Sequence, residues 1–121
     1  MSEMGITFES GSRCMEELLA LRARPTAVFA SNDDMAAGAL LVAHRRGCDV
    51  PGDVSIVGFD DISMARCLWP PLTTVRQPTK KAAAIATAML LDSLRTGDFS
   101  AVNQEIPGEL VVRESAAAPP K

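Results

Sequence analysis

The sequence contains few cysteines and histidines, which build zinc sites and disulfide frameworks, and it lacks the motifs of serine hydrolases. Its cysteines, Cys14, Cys48 and Cys67, are odd in number, widely spaced and free of any CxxC pair, which argues against both a disulfide framework and a zinc site. His44 is the only histidine, and its position near the end of a helix that Gly47 closes favours a helix-end or solvated role. There is no GxSxG-type elbow and no glycine-rich phosphate loop. We therefore expect reduced thiols, no metal, no cofactor and no serine hydrolysis.

Long apolar runs and basic stripes are also missing. The longest apolar stretch, 82–91, is far shorter than the ~20 residues of a membrane span. The net charge is −3, and the basic pairs 45–46 and 80–81 are of the kind that usually lies on a solvated helix face. The segment 1–8 has neither the basic nor the apolar part of a secretory signal. These features predict a cytoplasmic protein that has no membrane partner and binds nucleic acid poorly by itself.

What is present is an alternation of short β-type runs with helical patterns. Continuous apolar runs too short for helices predict buried strands at 26–30 and 54–57, covered on both faces, with further strands at 72–75 and 109–113. Between them the spacing predicts helices at 10–21, 35–46 and 78–95, a helical turn at 60–68 and a disordered tail at 116–121. Strands separated by helices indicate an α/β fold with a doubly wound parallel sheet.

Two polar clusters directly follow the first two predicted strands. Ser31–Asp34 comes after the first strand, and Asp60 and Asp61 come after the second. In open parallel sheets, ligands bind at the carboxyl ends of the strands. The pattern therefore predicts a binding rim formed by both clusters.

Four motifs at these and later positions resemble the lactose/galactose repressor family. They occur in the family's order, and the resemblance extends over nearly all of 7–120; the motifs lie at 30–39, 50–61, 70–78 and 110–115. The resemblance implies a periplasmic-binding-protein-like fold in which two subdomains close on a small ligand. It also implies that residues 1–115 correspond to the last third of a family member, mainly its C-terminal subdomain. The helix at 78–97 then belongs to the other subdomain, and the DNA-binding headpiece has no counterpart in this chain.

The resemblance further implies an effector similar to a sugar or a nucleobase. Asp60 is the leading ligand residue, since a carboxylate can accept hydrogen bonds from two neighbouring hydroxyls, although aspartate is also common in turns and caps. Asn32 offers a donor and an acceptor, and Asp33 lies beside it; capping of the following helix is the alternative for both. Asp61 is expected to cap the next turn rather than to bind ligand.

Trp69 and Gln77 complete the predicted ligand set. Trp69 could stack on a sugar or a base, and core or interface packing is its alternative role. Gln77 matches the crossover between the two subdomains of the family and is predicted to contact the ligand.

The family forms dimers through regions that match the second helix and the turn after Ile62, and we expect a homodimer here. The spread of apolar residues around that helix agrees with an interface or with burial on two sides. The predicted interface residues are Met35, Ala36, Ala39, Leu40, Ala43, Met64, Cys67 and Leu68. The apolar face of the helix at 78–95 is expected to pack against a second copy or to fold back on its own sheet.

Three functions compete at this point. The first is the effector-sensing and dimerisation part of a transcription regulator that contacts DNA only through a headpiece. The second is a periplasmic-type solute receptor of the same fold, which an upstream export signal would favour. The third is a small enzyme in which Asp33, Asp34, Asp60 and Asp61 imitate paired catalytic carboxylates. No base and nucleophile set accompanies those carboxylates, so the first function is preferred.

Overall fold

The computed structural model describes residues 5–100 and 103–121. Residues 1–4 and 101–102 lie outside the described residues, and with them the first half of the segment 1–8 interpreted above. The elements in chain order are α1 (Phe8–Ala20), β1 (Ala27–Phe29), α2 (Asp33–Arg45), β2 (Ser55–Val57), a 3-10 helix (Ser63–Cys67), β3 (Thr74–Arg76), α3 (Thr79–Thr96) and β4 (Glu109–Val111). Among the described residues no helix combines the length and the apolar character needed to cross a membrane.

Helix α1 begins at a capping box. The Ser10 backbone N–H donates to the Thr7 hydroxyl (3.2 Å), and the Thr7 N–H donates to the Ser10 hydroxyl (3.0 Å). This reciprocal cap satisfies donors that no helical carbonyl can reach, so the helix begins two residues before its predicted start. Met15 and Leu19 are buried on its inner face.

Helices α1 and α2 cross in direct backbone contact. A Cβ on Gly11 would lie 2.2 Å from the Met35 carbonyl oxygen, and one on Gly38 would lie 2.1 Å from the Phe8 carbonyl oxygen. Neither position has room for a side chain, so these two glycines set the closeness of the packing. The helix pair covers a core that includes Ala36, Ala43 and Ile56.

The strands form a parallel pair, β1 with β2, and an antiparallel pair, β3 with β4, and isolated parallel bridges join the two pairs. β1 pairs in parallel with β2, placing Val28 opposite Ile56, and a parallel bridge joins Val57 to Thr73 beside β3. β4 runs antiparallel to β3, with Val75 opposite Leu110. The predicted α/β fold with a parallel sheet is confirmed, and the antiparallel last strand adds to it.

The chain between β4 and the carboxyl terminus is hydrogen-bonded both to β2 and to the residue before β3. The Ser115 hydroxyl accepts a hydrogen bond from the Thr73 N–H (2.8 Å) and donates to the Ile56 carbonyl oxygen. Two residues later, Ala117 exchanges hydrogen bonds with the Ser55 hydroxyl (3.0 and 3.1 Å). The predicted disordered tail therefore begins too early, since the backbone is held to β2 at least to Ala117.

Two apolar surfaces are left uncovered. Phe29 in β1 is 66% exposed, so the prediction that this strand is covered on both faces is wrong. Helix α3 has no buried residue. Of the two alternatives predicted for α3, folding back on its own sheet is wrong, because such packing would bury at least one of its apolar residues, and packing against a second copy stays a prediction.

Candidate ligand-binding site

Asp60 and Asp61 follow β2 in an unusual backbone conformation. Their φ angles are 118° and 56°, and they are the only non-glycine residues with positive φ in the described part of the chain. L-residues rarely adopt this region, and aspartate is among those that tolerate it best. The turn sends the two consecutive carboxylates to different partners.

Asp60 lies at a cavity beside the ends of β2 and β3. Its Oδ1 accepts a hydrogen bond from the Gln77 Nε2 (2.5 Å), and its backbone N–H donates to the Val75 carbonyl oxygen (2.9 Å). The structure thus brings Asp60 and Gln77 into direct hydrogen-bond contact, and ligand binding by both residues stays a prediction.

We call this space the strand-end cavity. Its volume is about 690 Å³, which is within the range of small-molecule pockets. Gln77, Pro78 and Thr79 contribute to its lining. Its charged lining consists of Asp60, Asp61, Arg66, Arg76, Lys80 and Lys81.

Asp61 is a buried ion-pairing group and not a helix cap. Its side chain is 2% exposed, and it accepts from the Arg113 Nη2 (2.6 Å) and the Arg76 Nε (2.8 Å). Burial alone would raise the pKa of Asp61, but the hydrogen bonds and charges of Arg113 and Arg76 outweigh it and hold that pKa below its usual value. Asp61 therefore holds Arg76 and Arg113 in place beside the cavity. The 3-10 helix that follows has Ile62 as its N-cap and no side-chain cap bond.

Asp33 is a structural residue, which contradicts its predicted ligand role. Its side chain is 0% exposed. Oδ1 accepts from the Thr74 hydroxyl (2.6 Å), and Oδ2 accepts from the Ile62 N–H (2.9 Å). A Cβ on Gly58 would lie 2.3 Å from Oδ1, so the carboxylate is enclosed. Asp33 ties α2 to β3 and to the turn after β2, with no face left for a ligand.

Asn32 takes its alternative role as the N-cap of α2. Its Oδ1 accepts from the Met35 N–H (2.8 Å), and α2 consequently begins at Asp33, two residues before its predicted start. The Asn32 side chain is half-buried and is absent from the lining of the strand-end cavity. The cap does not occupy its amide nitrogen, so ligand contact by Asn32 stays a prediction.

Trp69 lies on a different surface, which we call the apolar groove. This groove has a volume of about 330 Å³ and is lined by Phe8, Ala37, Leu40, Leu41, His44, Met64, Leu68 and Trp69. Trp69 is 78% exposed there and does not line the strand-end cavity. The structure therefore does not bring Trp69 into one cavity with Asp60 and Gln77.

Comparison with known proteins identifies the family. A family model described as a periplasmic binding protein-like domain matches residues 3–116. The chain belongs to this family, in its lactose-repressor-type branch. It is 43% identical over 114 residues to the HTH-type transcriptional repressor CytR of Escherichia coli (strain K12), covering 94% of this chain and 33% of that repressor.

Solved structures agree with this assignment. The transcriptional regulator CelR–cellobiose complex matches with a TM-score of 0.85 at 37% identity, covering 91% of this chain and 34% of that one. The lac repressor dimer bound to operator and the anti-inducer ONPF matches with a TM-score of 0.84 at 34% identity, covering 93% and 39%. The periplasmic binding protein-like domain described here spans about a third of the length of the curated relatives it matches.

Part of the predicted dimer interface of this periplasmic binding protein-like domain is core instead. The residues buried inside the protomer are Ala36, Ala39, Leu40 and Ala43. The apolar spread around α2 therefore reflects burial against α1 on one side and the sheet on the other. Met35 is half-buried against the same core, whereas Met64 and Leu68 line the apolar groove and Cys67 is exposed beside them.

The sequence reading missed the cationic lining of the strand-end cavity in this domain. Lys80 and Lys81 are exposed on α3, as the prediction of a solvated helix face has it, but they also line the cavity, and neither Arg66 nor Arg76 is among the predicted site residues. A signal was available, because the lysine pair follows Gln77 by only three residues. The Arg113–Asp61 pair joins positions 52 residues apart, and sequence spacing gives no hint of it.

Proposed function

We propose that this periplasmic binding protein-like domain is the effector-sensing and dimerisation part of a transcription regulator. It binds a small polyhydroxylated or heterocyclic molecule, and DNA is contacted through a headpiece outside these residues. The observation that carries the proposal is the Asp60–Gln77 pair at the strand-end cavity of a lactose-repressor-type fold. Asp60 would accept hydrogen bonds from ligand hydroxyls, and Gln77 would orient that carboxylate.

The relatives favour a regulator over a solute receptor. CytR is a transcriptional repressor, the transcriptional regulator CelR was solved as a complex with cellobiose, and the lac repressor dimer was solved bound to operator and the anti-inducer ONPF. Effector binding would shift an equilibrium between closed and open forms, and this shift would be transmitted to DNA binding. The domain is proposed to act in the cytoplasm and to make no covalent bond, since Asp33 is enclosed and cannot pair with Asp60 in acid–base work.

The test is a titration of the ¹⁵N-labelled chain with a panel of sugars, sugar acids and nucleosides, followed by amide chemical shifts. Binding at the proposed site moves the signals of residues 59–61 and 76–81 and is lost in Asp60→Asn and Gln77→Leu. Glu17→Gln is the matched control, because it removes an exposed acid on α1. Shifts that persist in Asp60→Asn, or no shifts with any member of the panel, would refute the proposal.

We propose that the apolar groove is the dimer contact. Phe8, Met64 and Trp69 are exposed large apolar residues along it, and such a patch favours association. The lac repressor relative was solved as a dimer. Trp69→Glu is expected to weaken self-association in sedimentation equilibrium, whereas Val112→Glu, at an equally exposed position, should leave it unchanged. The same loss in both variants would contradict this assignment.

Helix α3 is proposed to belong to the second subdomain of a full-length protein. None of its residues is buried, and its face formed by Ala82, Ile85, Ala86 and Met89 lines an open surface cavity together with Asn103, Gln104 and Ile106. An amphipathic helix of 18 residues packs that face in a complete fold. The match covers only 33% of the length of CytR, which supports the proposal that a further part of a full-length protein packs against this face of α3.

A further inference from the structure

The lining of the strand-end cavity contains more cations than its own acids can neutralise. Arg76 is paired with Asp61 (2.8 Å) and with Glu109 (3.5 Å), and Asp61 also receives Arg113. The charge of Asp61 is therefore fully balanced without help from the other lining cations. The other cations of the lining therefore have no role in neutralising Asp61.

Arg66, Lys80 and Lys81 are the remaining cations of the cavity. Within residues 5–100 and 103–121 none of them forms an ion pair, and the one lining carboxylate without a cationic partner is that of Asp60. The positive excess is local, because the whole chain carries a net charge of −3. It also comes from two elements, since Arg66 lies in the 3-10 helix and the lysines lie in α3.

Nothing in the first turn of α3 offsets this charge. That turn contains no acidic residue, and its N-cap, Pro78, makes no side-chain cap bond. The partial positive charge at the start of the helix has the same sign as Lys80 and Lys81. A neutral ligand would not interact favourably with this positive electrostatic potential, whereas an anionic group would.

We infer that the effector is a polyhydroxylated anion, with a carboxylate or phosphate group bound by Lys80, Lys81 and Arg66. The inference rests on the proposed effector-sensing function and specifies its ligand class. Asp60 repels an anion placed beside it, so the ligand has a defined direction. Its hydroxyls lie at Asp60 and Gln77, and its anionic group lies at the start of α3.

The experiment compares matched ligand pairs by amide-detected titration of the whole 121-residue chain. The pairs are D-glucuronate against D-glucose and D-glucose 6-phosphate against D-glucose, which separate a carboxylate from a phosphate. Inorganic phosphate and acetate are titrated alone. Exposed ion pairs contribute modestly, so the anionic member is expected to bind about four- to twentyfold more tightly than its neutral analogue at low salt.

Two charge-matched double variants locate the effect. Lys80→Gln/Lys81→Gln removes two cavity cations, and Arg13→Gln/Arg45→Gln removes two exposed cations from α1 and α2. The lysine variant is expected to lower the affinity for the anionic member to near that of the neutral one. The arginine variant is expected to keep the preference.

Several outcomes overturn the inference, and they separate it from the proposed function. Equal affinity for neutral and anionic members, with shifts that still need Asp60, leaves the proposed function standing and removes the anionic class. A preference that survives in the lysine variant, or one that disappears equally in the arginine variant, also removes it. Inorganic phosphate or acetate binding as tightly as the sugar anions, independently of Asp60, means adventitious anion binding only. No Asp60-dependent shift with any ligand removes both.

Discussion

Replacement of Asp33 by alanine tests the conclusion that this residue holds the fold together and does not bind ligand. The carboxylate is completely buried and accepts the Thr74 hydroxyl (2.6 Å) and the Ile62 N–H (2.9 Å). Asp33→Ala leaves both donors without an acceptor. A buried donor that loses its partner costs about 1–3 kcal/mol, so the loss of both bonds is expected to lower the free energy of unfolding by about 2–6 kcal/mol.

Conservative variants show how much of this loss of unfolding free energy comes from each of the two hydrogen bonds. Asp33→Asn keeps the shape and one acceptor oxygen, and the Thr74 hydroxyl can rotate to accept from the new amide, so a loss of about 1–2 kcal/mol is expected. Thr74→Val removes one donor at similar volume. Asp33→Ala combined with Thr74→Val should cost less than the sum of the two single changes, because the two side chains share a bond.

The assay is urea unfolding followed through the amide signals of α2, since α3 has no buried residue and would not report on the core. Asp34→Ala is the matched control. Asp34 is exposed in the same first turn of α2, and its loss removes only its interaction with the helix dipole, about 0.3–1 kcal/mol. If Asp33→Ala costs no more than Asp34→Ala, or if Asp33→Asn keeps full stability and loses effector affinity, the structural role is wrong.

Three further predictions concern pH, the carboxyl terminus and α3. Because folding lowers the pKa of Asp61, the stabilisation from its ionised form is present above the unfolded pKa of about 3.9 and is lost as the pH falls through the lower folded value. Below about pH 4 the free energy of unfolding should therefore fall less steeply in Asp61→Asn than in the wild type, and equal slopes would contradict this. Ser115→Ala removes the acceptor of the Thr73 N–H and should destabilise by about 1–3 kcal/mol in urea unfolding, whereas unchanged stability would mean that water replaces the hydroxyl. Amides of α3 should show lower hydrogen-exchange protection than those of α2, and equal protection would point to a partner for α3 in solution.

The elements themselves could be predicted from local chemistry. Asn32 and Gly47 bracket α2 as a cap and a left-handed stop, and Gly97 closes α3 in the same way, with φ of 73°. Such signals act within a few residues, so the sequence states them directly. The bounds of the predicted α-helices and strands differed from the structure by up to two residues, and the 3-10 helix begins three residues after the start of the predicted helical turn.

The roles of individual polar residues were harder to predict. Asp33 and Asp60 both follow strands, and an aspartate at either position is suited to binding a ligand at the strand ends. Their roles separate because Thr74 and Ile62 enclose Asp33, whereas the positive φ of Asp60 turns its carboxylate to Gln77. These partners come from distant parts of the chain.

The sequence by itself determined the α/β class, the order of the helices and strands and the family, and the resemblance to that family predicted Asp60 and Gln77 in one ligand set. Periodicity, caps and short motifs are local properties, and the carboxyl ends of parallel strands meet by geometry alone. Only the tertiary structure decided that Ala36 and Ala43 are core, that Trp69 lies apart from the cavity and that Arg66, Lys80 and Lys81 leave the cavity cationic. Burial and charge balance depend on which distant side chains meet, and that is fixed only when the chain folds.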